Sequence, residues 1–264
     1  MWIELKLYQS FKDEGDMLRI IQSIDEFAFY ILRNDGVTRI VIRTTDAQAA
    51  LFQTVKQAMV DVIEPPVLEY PISAVLRMGK HYALPLLQEV KASLVYKVLE
   101  QVNEDCMVAC SARYRDESYF ISRWITSKEH PEYSTYRQIM SAILSSESAV
   151  RKPSSNVSAL IDVARWKLKR KHFHCAIVIA GKDRKTLKTI LNALPEGLVI
   201  ERYVKDEEWS SLRPKKPFML SSKFCVLSDI ELANIASLPE SVADLRLVYG
   251  MKKTFATGER DFNA

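Results

Sequence analysis

Phe173-His-Cys-Ala-Ile-Val-Ile-Ala180 is the stretch that decides how this chain folds. It is β-branched and almost wholly apolar, the composition of a strand covered on both faces. Upstream, Asn156 can cap a helix whose apolar positions Val157, Leu160, Ile161, Ala164 and Leu168 recur at helical spacing. Downstream, Gly181-Lys182-Asp183 turns the chain, with Asp183 as a helix cap. Leu187, Ile190, Leu191 and Leu194 form the next stripe, which Pro195 and Gly197 stop before a strand over residues 198–204. The unit reads helix, strand, helix, strand.

Working outward, residues 2–8 alternate as a strand does, and residues 13–24 carry a helical stripe in Met17, Ile20, Ile21 and Ile24. Residues 27–33 and 37–43 are strands joined at Asn34-Asp35-Gly36, a turn that needs positive φ. Thr45 or Asp46 caps a helix with Leu51, Val55, Ala58, Met59 and Val62 inward; Pro65-Pro66 ends it, and residues 67–70 form a last strand. The order β-α-β-β-α-β predicts a ferredoxin-like sandwich. Beyond it, residues 87–102 show helical spacing, 105–114 a strand, 118–126 a hairpin partner and 136–144 a further helix. Residues 205–217 read as an exposed loop, 218–227 as a final strand, 231–238 as a short helix capped by Ser228 or Asp229, and the chain from Gly250 as a frayed tail. We expect an α+β fold of two modules, residues 1–85 and 86–264. The pattern of strand, capped helix, proline and strand in 37–70 is repeated in 173–204.

The chain has 264 residues, 48% of them apolar, enough for a sizeable core. No apolar run reaches the ~18 residues that cross a bilayer, and the N-terminus lacks a signal-peptide pattern, so a cytoplasmic protein is expected. The four cysteines show no CxxC pairing and read as reduced, buried thiols. With 7 glycines, a phosphate-cradling loop is disfavoured. Val178-Ile-Ala-Gly-Lys-Asp183 has the outline of a P-loop, but Ala176 stands where the first glycine belongs and Asp183 where the metal-binding hydroxyl belongs.

His172 and His174 share one strand face at about 7 Å, a spacing that suits a metal, yet nothing nearby completes the set, so core or rim histidines are expected. Glu4-Leu5-Lys6 has the E-x-K form of some nuclease sites without the aspartate strand ahead of it. No GxSxG and no Ser/His/Asp set is present. Arg165, Lys167, Lys169, Arg170 and Lys171, followed by Lys182, Arg184, Lys185 and Lys188, form a basic stretch suited to nucleic acid or anionic headgroups. Its alternative is a solvated helix end. The net charge of +4 does not by itself imply either partner.

Phe224-Cys-Val-Leu-Ser-Asp-Ile-Glu-Leu-Ala-Asn-Ile-Ala-Ser-Leu-Pro239 resembles the "LS..ELA....LP" segment of HerA/VirB4-like ATPases of conjugation and type IV secretion systems. Trp166-Lys167-Leu168 with the strand from His172 to Ile179 is similar to their upstream "KL....F.v.i.i" segment. In that family the region precedes the motor, and these residues hold neither Walker motif. The resemblance therefore implies a non-catalytic interaction region of the kind carried by plasmids and other mobile elements. It would dock to protein subunits of a larger assembly or to its membrane-side machinery, without cofactor, metal or ATP hydrolysis. The alternative is a basic nucleic-acid-binding accessory protein, with DNA as partner of the 165–188 face.

Overall fold

The computed structural model describes residues 1–9, 11–12, 15–86, 92–102, 104–129, 155–214, 225–240 and 247. The expected helix at 136–144, the first part of the strand at 218–227 and the tail lie outside these residues.

One antiparallel sheet organises the chain. Its first four strands are β1 (Trp2–Leu7), β2 (Glu26–Asn34), β3 (Val37–Arg43) and β4 (Ala58–Ile63), with α1 (Asp16–Ser23) between β1 and β2 and α2 (Asp46–Phe52) between β3 and β4. They lie in the order β4-β1-β3-β2, the ferredoxin-like arrangement. The next elements are β5 (Glu69–Met78), α3 (Ala92–Gln101), β6 (Cys106–Tyr114), α4 (Ser118–Glu129), α5 (Ser155–Leu168), β7 (His172–Gly181), α6 (Arg184–Leu191) and β8 (Leu198–Glu208). Their strands continue the sheet as β6-β7-β5-β8. Read from the far edge, β8-β5-β7-β6 is the same fourth-first-third-second order, with α4 and α5 inserted where the first half has its Asp35-Gly36 hairpin. The two halves meet edge to edge at β2 and β6, paired from Glu26↔Arg113 to Arg33↔Cys106. Each half thereby covers an edge that would otherwise display unpaired backbone groups. β3-α2-β4 and β7-α6-β8 hold equivalent places, so the strand that answers β8 is β4 at 58–63 and not the expected strand at 67–70.

β7 is buried along almost its whole length. One edge pairs with β6; the other pairs first with β9 (Val226–Ser228) and then with β5. Phe173, Cys175, Ile177 and Ile179 join the main core with Ile20 and Ile21 of α1, Phe52 of α2, Tyr96 and Leu99 of α3, Leu187 and Ile190 of α6, and Leu232 and Ile235 of α7 (Asp229–Ile235). Val178 and Ala180 face a second core that contains Tyr30, Met107, Trp209 and Leu212. A satellite cluster of Ile121, Ile125, Ile161, Ala164 and Val226 holds α4 and α5 together. Among the described residues no helix is long and apolar enough to cross a membrane.

Four expectations need correction. The helix from residue 46 ends at Phe52, and 58–63, assigned to it by a chance helical spacing, is β4. Gln57 has φ 57°, which ends any helix, and Val60, Val62 and Ile63 are β-branched. Residues 67–70 are not the fourth strand of the first module. Residues 69 and 70 begin β5, which pairs with β7 and β8. Residues 118–126 are helical despite their aromatic content: Asp116 Oδ1 accepts the Ser118 N–H at 2.9 Å, and Ile121 and Ile125 bury one face. Residues 205–208 belong to β8, since mixed charge is what an exposed edge strand carries as readily as a loop.

The ends of β5 and β8 touch through glycine. Gly79 N–H donates to Gly197 O at 2.7 Å, and a Cβ on Gly79 would sit 3.1 Å from that oxygen. Gly79→Ala is expected to cost about 1–3 kcal/mol by overpacking against backbone, read as a lower urea midpoint at unchanged slope.

Candidate functional site

A dense polar construction among the described residues is internal. Ser228 caps α7: its Oγ accepts Glu231 N–H at 3.3 Å, and Glu231 Oε2 accepts Ser228 N–H at 2.7 Å, a capping box. The same carboxylate accepts Leu86 N–H at 2.7 Å and the Lys167 ammonium at 3.0 Å. Lys167, 0% exposed, also donates to Val226 O at 2.8 Å. A carboxylate 3% exposed and a fully enclosed ammonium are tolerable only as a pair with their remaining hydrogen bonds satisfied.

The chain leaving this hub fastens the two halves. His172 Nε2 donates to Lys167 O at 2.9 Å. Lys171 Nζ donates to Ile24 O at 2.7 Å and Gln22 O at 3.2 Å, placing a cation at the C-terminal end of α1. Asp229 N–H donates to Lys171 O, and Gln22 Nε2 donates to Asp229 Oδ2 at 3.0 Å.

The basic stretch is not one face. Residues 165–171 lie before β7 and 182–188 after it, and a ten-residue strand spans about 33 Å at ~3.3 Å per residue. Lys167 is withdrawn into the hub, and Lys171 is spent on α1. Arg165 pairs with Glu129 and Asp162, and Arg170 lies 5.2 Å over the Trp166 ring. At the other end Lys182 pairs with Glu104 at 2.8 Å, and Arg184 lies 4.6 Å over Tyr203. Lys169, Lys185 and Lys188 face solvent.

The other candidates are likewise engaged. His174 Nε2 meets Glu117 Oε1 at 2.5 Å inside the protein, and burial lowers the His172 pKa. No group of three or more His, Cys, Asp or Glu among the described residues is arranged to hold a metal. The Glu4 carboxylate gains the aspartate that sequence alone lacked, because β1 sets Glu4 opposite Asp61 of β4. However, Arg39 binds Glu4 at 2.6 Å and Lys6 binds Asp61 at 2.6 Å. Two cations already neutralise two carboxylates, which leaves no charge to attract a divalent ion. At the P-loop-like turn Asp183 accepts Thr186 N–H at 2.8 Å, so a carboxylate occupies the place a phosphate would need. All four cysteines are free and buried, and burial pushes the Cys106 thiol up to about 12 and Cys175 well above its usual value. Such thiols are unreactive. Sequence reasoning missed Glu231 and Glu117 as partners; the Ser228…Glu231 spacing was the legible signal for the first.

Compared with known proteins, the chain matches no family model, and no curated protein matches it.

Two predictions follow from the buried charges. Lys167→Met strands a buried carboxylate and is expected to cost about 3–5 kcal/mol, whereas Lys167→Met with Glu231→Gln costs less than the sum of the single changes, as a double-mutant cycle will show. His81 lies between Tyr82 and Trp124, and burial, with Lys128 and Lys167 nearby, lowers its pKa to about 4. A depressed histidine pKa favours the neutral form in the fold. Stability is therefore full above the unfolded value near 6.5 and falls as pH drops from there towards about 4. His81→Phe keeps the stacking, gives up the Ala83 N–H bond to His81 Nδ1, and should make the fall of the urea midpoint across that window shallower, with His172 supplying what remains.

Proposed function

We propose that the protein is a non-catalytic interaction module of a conjugation- or secretion-type ATPase assembly. The observation that carries this reading is the union of the two sequence segments on which the family resemblance rests. Lys167 of Trp-Lys-Leu and Glu231 of Glu-Leu-Ala form the buried pair, although 64 residues separate them. The likeness is then a likeness of packing: those residues fix β9 and α7 against β7 and stand apart from any reactive group. Further support comes from α4 and α5, which carry apolar side chains outward as well as inward. Tyr119, Phe120, Leu160, Val163 and Trp166 are exposed, while Ile121, Ile125, Ile161 and Ala164 face the satellite core. Exposed aromatic and aliphatic side chains of this kind suit a protein partner better than a phosphate backbone.

The test mixes the full chain with a HerA/VirB4-type motor ATPase and follows complex formation by light scattering at physiological salt. A stoichiometric complex is expected, weakened at least tenfold by Leu160→Glu with Trp166→Glu, two exposed positions whose change leaves the fold intact. ATP turnover by the chain alone would overturn the reading. DNA retention that falls steeply with salt and is lost when Lys169, Lys185 and Lys188 are neutralised would put a nucleic-acid-binding accessory protein in its place.

A further inference from the structure

Residues 209–213 pass over the sheet face opposite the helices of the main core and end beside the junction of β3 and α2. Tyr30 donates its hydroxyl to Trp209 O at 3.3 Å. Arg43 donates Nη1 to Ser210 O at 2.6 Å and Nη2 to Leu212 O, with its guanidinium 5.8 Å over the Trp2 ring. A cleft of ≈ 180 Å³ opens here, lined by Glu26, Phe27, Arg43, Thr44, Thr45 and Arg213 among others.

Three features set this cleft apart. First, it holds two guanidinium groups, and among the described residues no carboxylate forms an ion pair with either; Glu26 is turned to Arg113 at 3.5 Å. Arg43 has two carbonyl dipoles and the face of the Trp2 ring against its charge. Secondly, Thr44 is 7% exposed and its buried Oγ1 has no hydrogen-bond partner. A hydroxyl in that position costs stability until something accepts from it. Thirdly, the volume is below the roughly 300–1,000 Å³ of pockets that enclose a whole small molecule, so it suits a single functional group.

We propose that this cleft binds a phosphate-type oxyanion. Arg213 supplies a free planar fork, the Thr44 hydroxyl donates from below, and Thr45, whose side chain caps nothing, donates from the rim. Arg43 stays on its carbonyl partners and contributes charge. A guanidinium fork and two hydroxyls offer more donors than the two oxygens of a carboxylate use, and match the three terminal oxygens of a tetrahedral anion. The oxyanion can be free phosphate or the terminal phosphate of a mononucleotide whose remainder stays outside. This assignment is independent of the function proposed above.

The experiment titrates the full chain with sodium phosphate, and separately with AMP, against chloride at matched ionic strength, by calorimetry. One saturable site is expected, with inorganic phosphate alone binding if the free ion is the ligand and AMP binding at least as well if a phosphomonoester is. Arg213→Gln and Thr44→Val should each weaken it roughly tenfold, the effect of one hydrogen bond to a charged group, while Lys188→Gln changes nothing. Without phosphate, Thr44→Val should melt at or above the unaltered chain, since an isosteric methyl replaces a hydroxyl with no partner. That result separates lost binding from lost folding. Absence of saturable binding by both ligands, or undiminished binding by Thr44→Val, overturns the assignment.

Discussion

The fold of the second half depends on the ion pair between Lys167 and Glu231. One carboxylate gathers the end of α5, the loop after β5, the end of β9 and the first turn of α7. Neither charge can be buried alone without a penalty of several kcal/mol, so an arrangement that brings in one of these segments without the others is disfavoured. The pair does not need to add net stability to have this effect. Its consequence is that three stretches distant in sequence, around Leu86, Lys167 and 226–231, pack in one arrangement or not at all.

That constraint reaches the first half through backbone. Lys171 and Asp229 both hold α1, one through its C-terminal carbonyls and one through Gln22. The sheet makes the same connection between β2 and β6. A ferredoxin-like unit standing alone leaves its second strand as an open edge. Here Phe29 and Ile31 face the main core while Ala28, Tyr30 and Leu32 face the second, so an open β2 would expose apolar surface as well as unpaired amides. Pairing with β6 removes both liabilities, and the edges that remain are short in β4 and charged in β8.

Most elements were legible from periodicity, because their local signals agree with their burial. The Asp35-Gly36 hairpin, the Asp183 cap and the wholly apolar β7 are of this kind. The failures share a cause. Over 46–62 a helical spacing and an alternating one coexist, and only the edge-strand position beside β1 decides between them. At 118–126 the composition favours a strand, yet the hub and the satellite core require a helix that covers Tyr82 and Val226. The site was less legible still. Local sequence groups nine cations into one stretch, whereas β7 stands between them and the fold gives each end different work. Lys167 looks no different from Lys169 in sequence. What separates them is Glu231, 64 positions away.

A similar division of labour holds among the apolar side chains of the helices. Lys167 and Glu231 are buried together and hold β7, β9 and α7 in place, a task in which the outer faces of α4 and α5 take no part. The exposed apolar side chains are those the core did not need. On α5 these are Leu160, Val163 and Trp166, spaced at three residues along one face, with Ile161 and Ala164 turned inward. A helix that had only to cover a core would carry polar residues there, as α6 does with Lys185, Lys188 and Thr189 opposite Leu187 and Ile190. The contrast between these two helices, one packed on β7 and the other on α4, locates the surface that folding alone does not explain.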